Sequence, residues 1–218
     1  MLDLKNKIYF ISGIDTGVGK TYFTGLLAKY LKGKGVNVIT QKLAQTGCIG
    51  ISEDILEHRR LAKMELQEVD TNFTTCPFVY SFPASPHLAA ELEGKVIDVE
   101  EVTANSQILC NQFDMVLLEG AGGLMVPLTR SYSTMDYIVD QKLPVILVTT
   151  PKLGSINHTL LSLEACLSRN IEVTALVYNE YLNEPSPISN DSKRVFKEYL
   201  VKNSPKTEFV EMEDKLFS

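Results

Sequence analysis

Nine residues near the start of the chain, Gly13-Ile-Asp-Thr-Gly-Val-Gly-Lys20-Thr21, constrain the fold more than any other feature. They follow an apolar run at 7–12. They lead into a stretch where Tyr22, Phe23, Leu26, Leu27, Tyr30 and Leu31 recur at helical spacing before Gly33 and Gly35 supply a stop. A strand, a glycine loop and an amphipathic helix in that order make an anion site. Backbone N–H groups and the helix N-terminus face the ligand, a lysine neutralises β and γ oxygens, and a hydroxyl sits on Mg2+. The segment reads as a P-loop whose first glycine comes one position early, at Gly13 where the strict spacing asks for position 14. A plain glycine turn opening a helix is the alternative, and it leaves the coincidence of strand, Gly-Lys-Thr and helix unexplained.

A P-loop requires a sheet to carry it, and the sequence supplies one. Further β-rich runs fall at 36–42, 114–119, 144–149 and 173–178. The third and fourth of the five runs are nearly continuous apolar segments, as parallel strands covered on both faces require. Helical patterns lie between them, with Ile156, Leu160, Leu163 and Leu167 in one and Val99, Val102, Ile108, Leu109 and Phe113 in another. Alternation of this kind predicts an α/β fold of the P-loop NTPase type, a mostly parallel sheet with helices on both faces, in one domain over residues 1–218. Residues 183–191, rich in Pro, Ser and Asn, read as a surface loop, followed by a helix over about 192–202 and a short tail.

Charge and composition narrow the class. With 21 Lys and Arg against 27 Asp and Glu, the net charge of −6 argues against a protein that coats duplex nucleic acid. Apolar stretches reach only about five residues, far short of the roughly 20 a membrane span needs. No secretory signal is visible, and Cys48, Cys76, Cys110 and Cys166 are dispersed without CxxC pairing. The expectation is a reduced, cytoplasmic protein.

Three other segments carry chemistry. Glu119-Gly-Ala-Gly-Gly123 ends the run at 114–119, placing an acid at the carboxyl end of a strand opposite the P-loop, where ligands bind in open α/β sheets. Lys42 ends the run at 36–42 and precedes Gln45-Thr46-Gly47; a lysine there can stabilise an anion developing near the γ-phosphate. Lys152-Leu-Gly154-Ser-Ile-Asn157-His158 follows another strand and opens a helix, a second anion site suited to a carboxylate. Each has a plain structural counterpart. Lys42 can be a surface lysine, Asp54 a helix-start acid, and Ser155 or Asn157 a helix cap. His58, His87 and His158 show no metal spacing and read as structural.

These segments together, with Ser85-Pro86-His87, resemble the dethiobiotin synthetase family over most of the chain, about 8–179. The resemblance implies an ATP-dependent ligase of biotin synthesis, acting as a homodimer with the substrate site at the interface. Its reaction closes the ureido ring of dethiobiotin from 7,8-diaminononanoate, CO2 (or bicarbonate) and ATP, through a carbamate and a carbamic-phosphoric anhydride. By resemblance, Thr16, Lys20 and Lys42 are catalytic, with Thr16 and Lys42 at the carbamate. Thr21, Asp54 and Glu119 hold Mg2+. Gly17, Val18, Gly19, Lys20, Thr21, Tyr22, Asp54, Glu119, Gly120, Ala121, Gly122 and Asn179 bind nucleotide, Asn179 at the purine. Thr46 contacts the substrate, and Gly154, Ser155, Ile156 and Asn157 hold its carboxylate across the dimer.

Gly17 stands where many family members carry Glu, and Leu43 where Pro follows the lysine; neither removes a charge the chemistry needs. Residues 202–218 lack the family's Gly-x-Ile/Leu-Pro strand end and following helix near the base, which predicts weakened selectivity for adenine. A partitioning-type ATPase switch of the same superfamily is the competing reading, but its signature lysine is replaced by Asp15. A GTPase would need an Asn-Lys-x-Asp motif where Tyr178-Asn-Glu-Tyr181 stands. A small-molecule kinase would leave Lys42 and the loop at 154–157 unexplained.

Overall fold

The computed structural model describes residues 2, 4–180 and 186–212. Six strands, β1 (Ile8–Gly13), β2 (Val38–Lys42), β5 (Met115–Gly123), β8 (Val145–Thr149), β9 (Val173–Asn179) and β10 (Glu208–Met212), form one parallel sheet in the order β10-β9-β8-β1-β5-β2. Short pairs β3 (Gln45–Thr46) with β4 (Val79–Tyr80), and β6 (Pro127–Thr129) with β7 (Tyr132–Ser133), lie outside it. The helices are α1 (Lys20–Gly33), α2 (Glu53–Ala62), α3 (Glu68–Thr71), α4 (Pro86–Leu92), α5 (Val99–Gln112), α6 (Thr134–Asp140), α7 (Ser155–Ser168) and α8 (Ser186–Asn203).

Side-chain alternation along the strands divides the core between the two faces. Tyr9 and Ile11 of β1 join Leu117, Ile146, Val148, Ala175 and Val177 beneath Phe23, Leu26, Leu27 and Leu31 of α1. Phe10 points the other way, with Leu118, Leu147 and Leu176, toward Met135 and Ile138 of α6, Leu163 of α7 and Phe196 of α8. Parallel strands covered on both faces explain why the runs at 114–119 and 144–149 are almost uniformly apolar. All five strand runs read from the sequence are found, each within a few residues.

Two parts of the C-terminal region differ from the sequence reading. Residues 186–191, expected as loop, form the first turns of α8. Pro187 fits a first helical turn, where no intrahelical N–H bond is lost. Residues 183–185 of that expected loop lie outside the described residues. The tail, expected to carry no element, contributes β10, parallel to β9 with Met212 opposite Asn179.

One glycine sets the position of α2. A Cβ on Gly25 of α1 would lie 2.7 Å from Leu61 Cδ1 and 2.8 Å from Leu61 Cβ. Only glycine therefore lets α2 settle against α1 closely enough to bring its first turn to the P-loop.

Candidate active site

The P-loop leaves β1 and feeds α1, as the sequence predicts. Gly17 and Gly19 take positive φ (74° and 94°), conformations that cost little only for glycine. Lys20 folds back so that its Nζ donates to Asp15 O at 2.9 Å. Burial, with the neighbouring Lys42 as the next cause, lowers the Lys20 pKa to about 8. Asn179, at the end of β9, reaches over from the sheet and donates from Nδ2 to Val18 O at 2.9 Å. It touches the loop from behind.

Sheet register brings the charged residues together. Lys42 of β2 and Glu119 of β5 are direct partners in adjacent parallel strands, so their side chains emerge on the same face at the carboxyl edge. Lys42 Nζ lies 2.8 Å from Glu119 Oε1, 2.5 Å from Asp54 Oδ2 and 3.0 Å from Gly120 O. An ammonium has three N–H donors, and all three are engaged. Burial opposes the charge on Lys42, but Glu119 and Asp54 outweigh it and hold the pKa above the usual lysine value. Glu119 is fully buried; against that burial, Lys42 and His58 hold its carboxyl well below the ordinary carboxylate range.

Asp54 arrives from the other direction. Ser52 caps α2, its Oγ accepting from Ile55 N, and Gln45 Oε1 receives Ser52 Oγ at 2.7 Å and Asp54 N at 3.3 Å. This fixes the first turn of α2 at the cleft. Thr21 Oγ1 stands 3.1 Å from both Asp54 Oδ1 and Glu119 Oε1. One hydroxyl between two carboxylates is an oxygen-rich, anionic corner. Among the described residues no cluster of three or more His, Cys, Asp and Glu is placed to hold a metal. Two carboxylates and a hydroxyl instead suit Mg2+, which takes one or two carboxylates and completes its shell with phosphate and water.

The cleft above these groups measures about 800 Å3. Thr16, Gly17, Gly19, Lys20, Thr21, Tyr22, Lys42, Thr46, Asp54, Glu119, Ala121 and Gly122 of the expected site residues line it, together with Pro83, Ser85 and Pro86. Val18 and Ser155 line a second cavity of about 470 Å3 on the other side of the P-loop, with Lys152, Leu153 and His158; Thr16 and Gly17 border both. Gly154 caps α7 in the left-handed conformation, Ile156 packs on the core and Asn157 faces solvent. Within one chain, then, the 154–157 loop is not assembled with Thr46.

Sequence reasoning passed over one functional neighbour. His58 is fully buried with Nε2 2.8 Å from Glu119 Oε2. Its i, i+4 spacing from Asp54 on α2 was the available signal.

A P-loop at the end of a central parallel strand, with an acid on the adjacent strand, defines a P-loop NTPase, and comparison with known proteins agrees. A family model described as an AAA domain matches residues 7–207. A ParA family ATPase from Chlorobium tepidum TLS superposes with a TM-score of 0.55 at 14% identity, over 98% of this chain and 88% of that one. Chloroplast FtsY from Physcomitrella patens gives 0.55 at 17% over 96% and 59%; at such identities both inform the fold alone. Sequence relatives are far more specific. The ATP-dependent dethiobiotin synthetase BioD 2 of Haemophilus ducreyi is 50% identical over 207 residues, covering 95% of this chain and 98% of that protein. The ATP-dependent dethiobiotin synthetase BioD of Chlorobaculum tepidum is 52% identical over 192 residues, covering 88% and 80%. The chain belongs to the ATP-dependent dethiobiotin synthetase family.

Proposed function

We propose the residue roles by which this chain carries out ATP-dependent dethiobiotin synthesis in biotin biosynthesis. One amine of 7,8-diaminononanoate takes up CO2 as a carbamate, releasing a proton. A carbamate oxygen then attacks the γ-phosphorus and ADP leaves. The second amine attacks the resulting anhydride carbon, phosphate departs, and the ureido ring closes.

Both reactants are anions, so the chain must bring like charges together. Lys20 and Lys42 supply the positive charge, and fixed charges aimed at a transferring phosphoryl group are the main lever in this chemistry. The P-loop amides of Gly17, Val18 and Gly19 cradle the phosphates, with Tyr22, Gly120, Ala121 and Gly122 bordering them. Asn179 orders the loop beside the base. Lys42, exchanging one of its three acceptors, meets the carbamate together with Thr16, and Thr46 orients the chain of the diamine. Thr21, Asp54 and Glu119 would hold Mg2+, which neutralises phosphate oxygens when bound. A partner subunit in a homodimer would supply Gly154, Ser155, Ile156 and Asn157 for the substrate carboxylate. The separation of that loop from Thr46 in one chain supports this, as does Leu153, left 85% exposed beside it. No helix among the described residues is long and apolar enough to cross a membrane, and we place the enzyme in the cytoplasm.

The observation that carries the reading is the Lys42–Glu119 register pair set beside Lys20 and Thr21 in one cleft. The test mixes purified protein with 7,8-diaminononanoate, bicarbonate, Mg2+ and ATP and looks for dethiobiotin by mass spectrometry. Product requiring all four is expected. ATP hydrolysis that ignores the diamine, with no product, would return the chain to the switch-ATPase reading.

A further inference from the structure

A buried line of hydrogen bonds runs away from the cleft behind Glu119, and none of the roles above uses it. Glu119 Oε1 faces Lys42 and Thr21, while Oε2 points back to His58 Nε2. On the far side of the ring, His58 Nδ1 lies 3.1 Å from Thr40 Oγ1. Arg59 Nη1 donates to the same Thr40 Oγ1 at 2.7 Å, and Nη2 reaches Thr40 O at 3.4 Å. Asp70 clamps that guanidinium with Oδ2 on Nε at 2.9 Å and Oδ1 on Nη2 at 2.7 Å. Thr75 Oγ1 and Gln67 N complete the shell of Asp70 at 2.8 and 2.9 Å. Glu119, His58, Thr40, Arg59 and Asp70 are all buried, at 3% exposure or less.

Counting donors gives the line a direction. Arginine only donates, so Thr40 Oγ1 must accept from Nη1. The hydroxyl proton then has His58 Nδ1 as its acceptor, which leaves the ring proton on Nε2, aimed at Glu119 Oε2. A proton on Nδ1 would put a second donor on Thr40 Oγ1 and leave the hydroxyl proton without an acceptor among the described residues. Each group thus fixes the next, from the Asp70–Arg59 clamp on α3 and α2, through Thr40 on β2, to Glu119 on β5.

We propose that Asp70, Arg59, Thr40 and His58 are positioning residues that hold the Glu119 carboxylate with Oε2 engaged and Oε1 turned to the cation corner. The proposal rests on the reading of Glu119 as a Mg2+ position. A ligand carboxylate left without its outer partner can rotate or pair fully with Lys42. Loss of such partners characteristically costs about 10–100-fold in metal affinity.

The test uses Mn2+ as a paramagnetic probe, titrated into the full-length protein with a non-hydrolysable ATP analogue and followed by electron paramagnetic resonance, so that no turnover is needed. His58→Leu and Thr40→Val should each weaken Mn2+ binding by about tenfold or more. His58→Gln and Thr40→Ser, which keep a donor and a hydroxyl in place, should restore most of the loss. Thr40→Val is the sharper arm, because Thr40 touches no proposed metal ligand and reaches Glu119 through the His58 ring. Turnover at limiting Mg2+ should fall with metal occupancy and recover as Mg2+ is raised toward saturation, with KM for the diamine unmoved. A purely structural role would lower the melting temperature but leave the Mn2+ affinity of the folded protein as in wild type, and that result overturns the proposal. Should Thr40→Val fail to fold, the His58→Leu and His58→Gln pair decides by the same criterion. Wild-type protein that binds no Mn2+ overturns the metal reading itself, and the proposal with it; wild-type binding with unaltered variants overturns the proposal alone.

Discussion

Replacing Lys42 by Met keeps most of the buried stem and deletes the ammonium that joins Glu119, Asp54 and Gly120 O. Side-chain exposures of 5% for Lys42 and 0% for Glu119 mean that water cannot take over. Removing one partner of a buried ion pair costs about 3–5 kcal/mol, because the other charge stays behind uncompensated. His58 still donates to Glu119, and Asp54, at 23% exposure, keeps contact with solvent, so the low end applies, about 3 kcal/mol. For a chain of this size each kcal/mol moves the melting temperature by about 2–4 °C, a drop of roughly 6–12 °C. The informative comparison is a cycle of four proteins: wild type, Lys42→Met, Glu119→Gln and the double variant, melted by calorimetry. Gln at 119 removes the stranded charge, so the double variant should melt above Lys42→Met. Ring closure should behave differently. Both proteins lacking Lys42 should lose roughly 10²–10³ in kcat, the usual cost of one transition-state donor, while nucleotide affinity changes little in Lys42→Met. A double variant no more stable than Lys42→Met would refute the stranded-charge account. Near-normal turnover by Lys42→Met would refute its role at the carbamate.

The Lys20 pKa of about 8 predicts two opposite pH effects. Between about 8 and the ordinary lysine value near 10.4 the unfolded chain binds more protons than the folded one, so unliganded stability should rise with pH through that window. Nucleotide affinity should fall over the same window as the charge that meets phosphate is lost; melts and titration calorimetry across it would show both or neither. Gly19→Ala puts a Cβ 2.2 Å from Asn179 Nδ2 at a φ of +94°. It should abolish the rise in melting temperature on adding ATP, and a wild-type rise would show the loop more forgiving than its geometry. The missing Gly-x-Ile/Leu-Pro pattern after β9 predicts weaker discrimination among nucleoside triphosphates than in longer family members. A competition assay showing equal or sharper preference for ATP would overturn that.

What could be read from the sequence follows a physical division. Residues at the ends of strands or loops declared themselves, because a P-loop, a terminal Lys42 and a terminal Glu119 need only local patterning to be placed at the carboxyl edge. Elements near the chain's end were misread where composition mimicked a loop. Ser186-Pro187 looks like a turn, yet proline is at home in a first helical turn, and Glu208-Phe-Val-Glu-Met212 has no strict polar–apolar alternation to mark it as a strand before its pairing with β9 is known.

Relations that cross elements were illegible for a different reason. Sequence puts Lys42 and Glu119 each at a strand's carboxyl end, but does not say that β2 lies beside β5 instead of β1, nor in which register. That pairing is what makes them neighbours, Lys42 opposite Glu119 and Thr40 opposite Leu117. A slip of one residue would turn one of the two to the opposite face of the sheet, leaving Glu119 without its lysine. It would also carry Thr40 away from His58 and Arg59, whose own approach depends on Gly25 admitting α2 against α1. The cation corner and the relay behind it are therefore set by the same register and the same helix contact, so a change that disturbs either should disturb both.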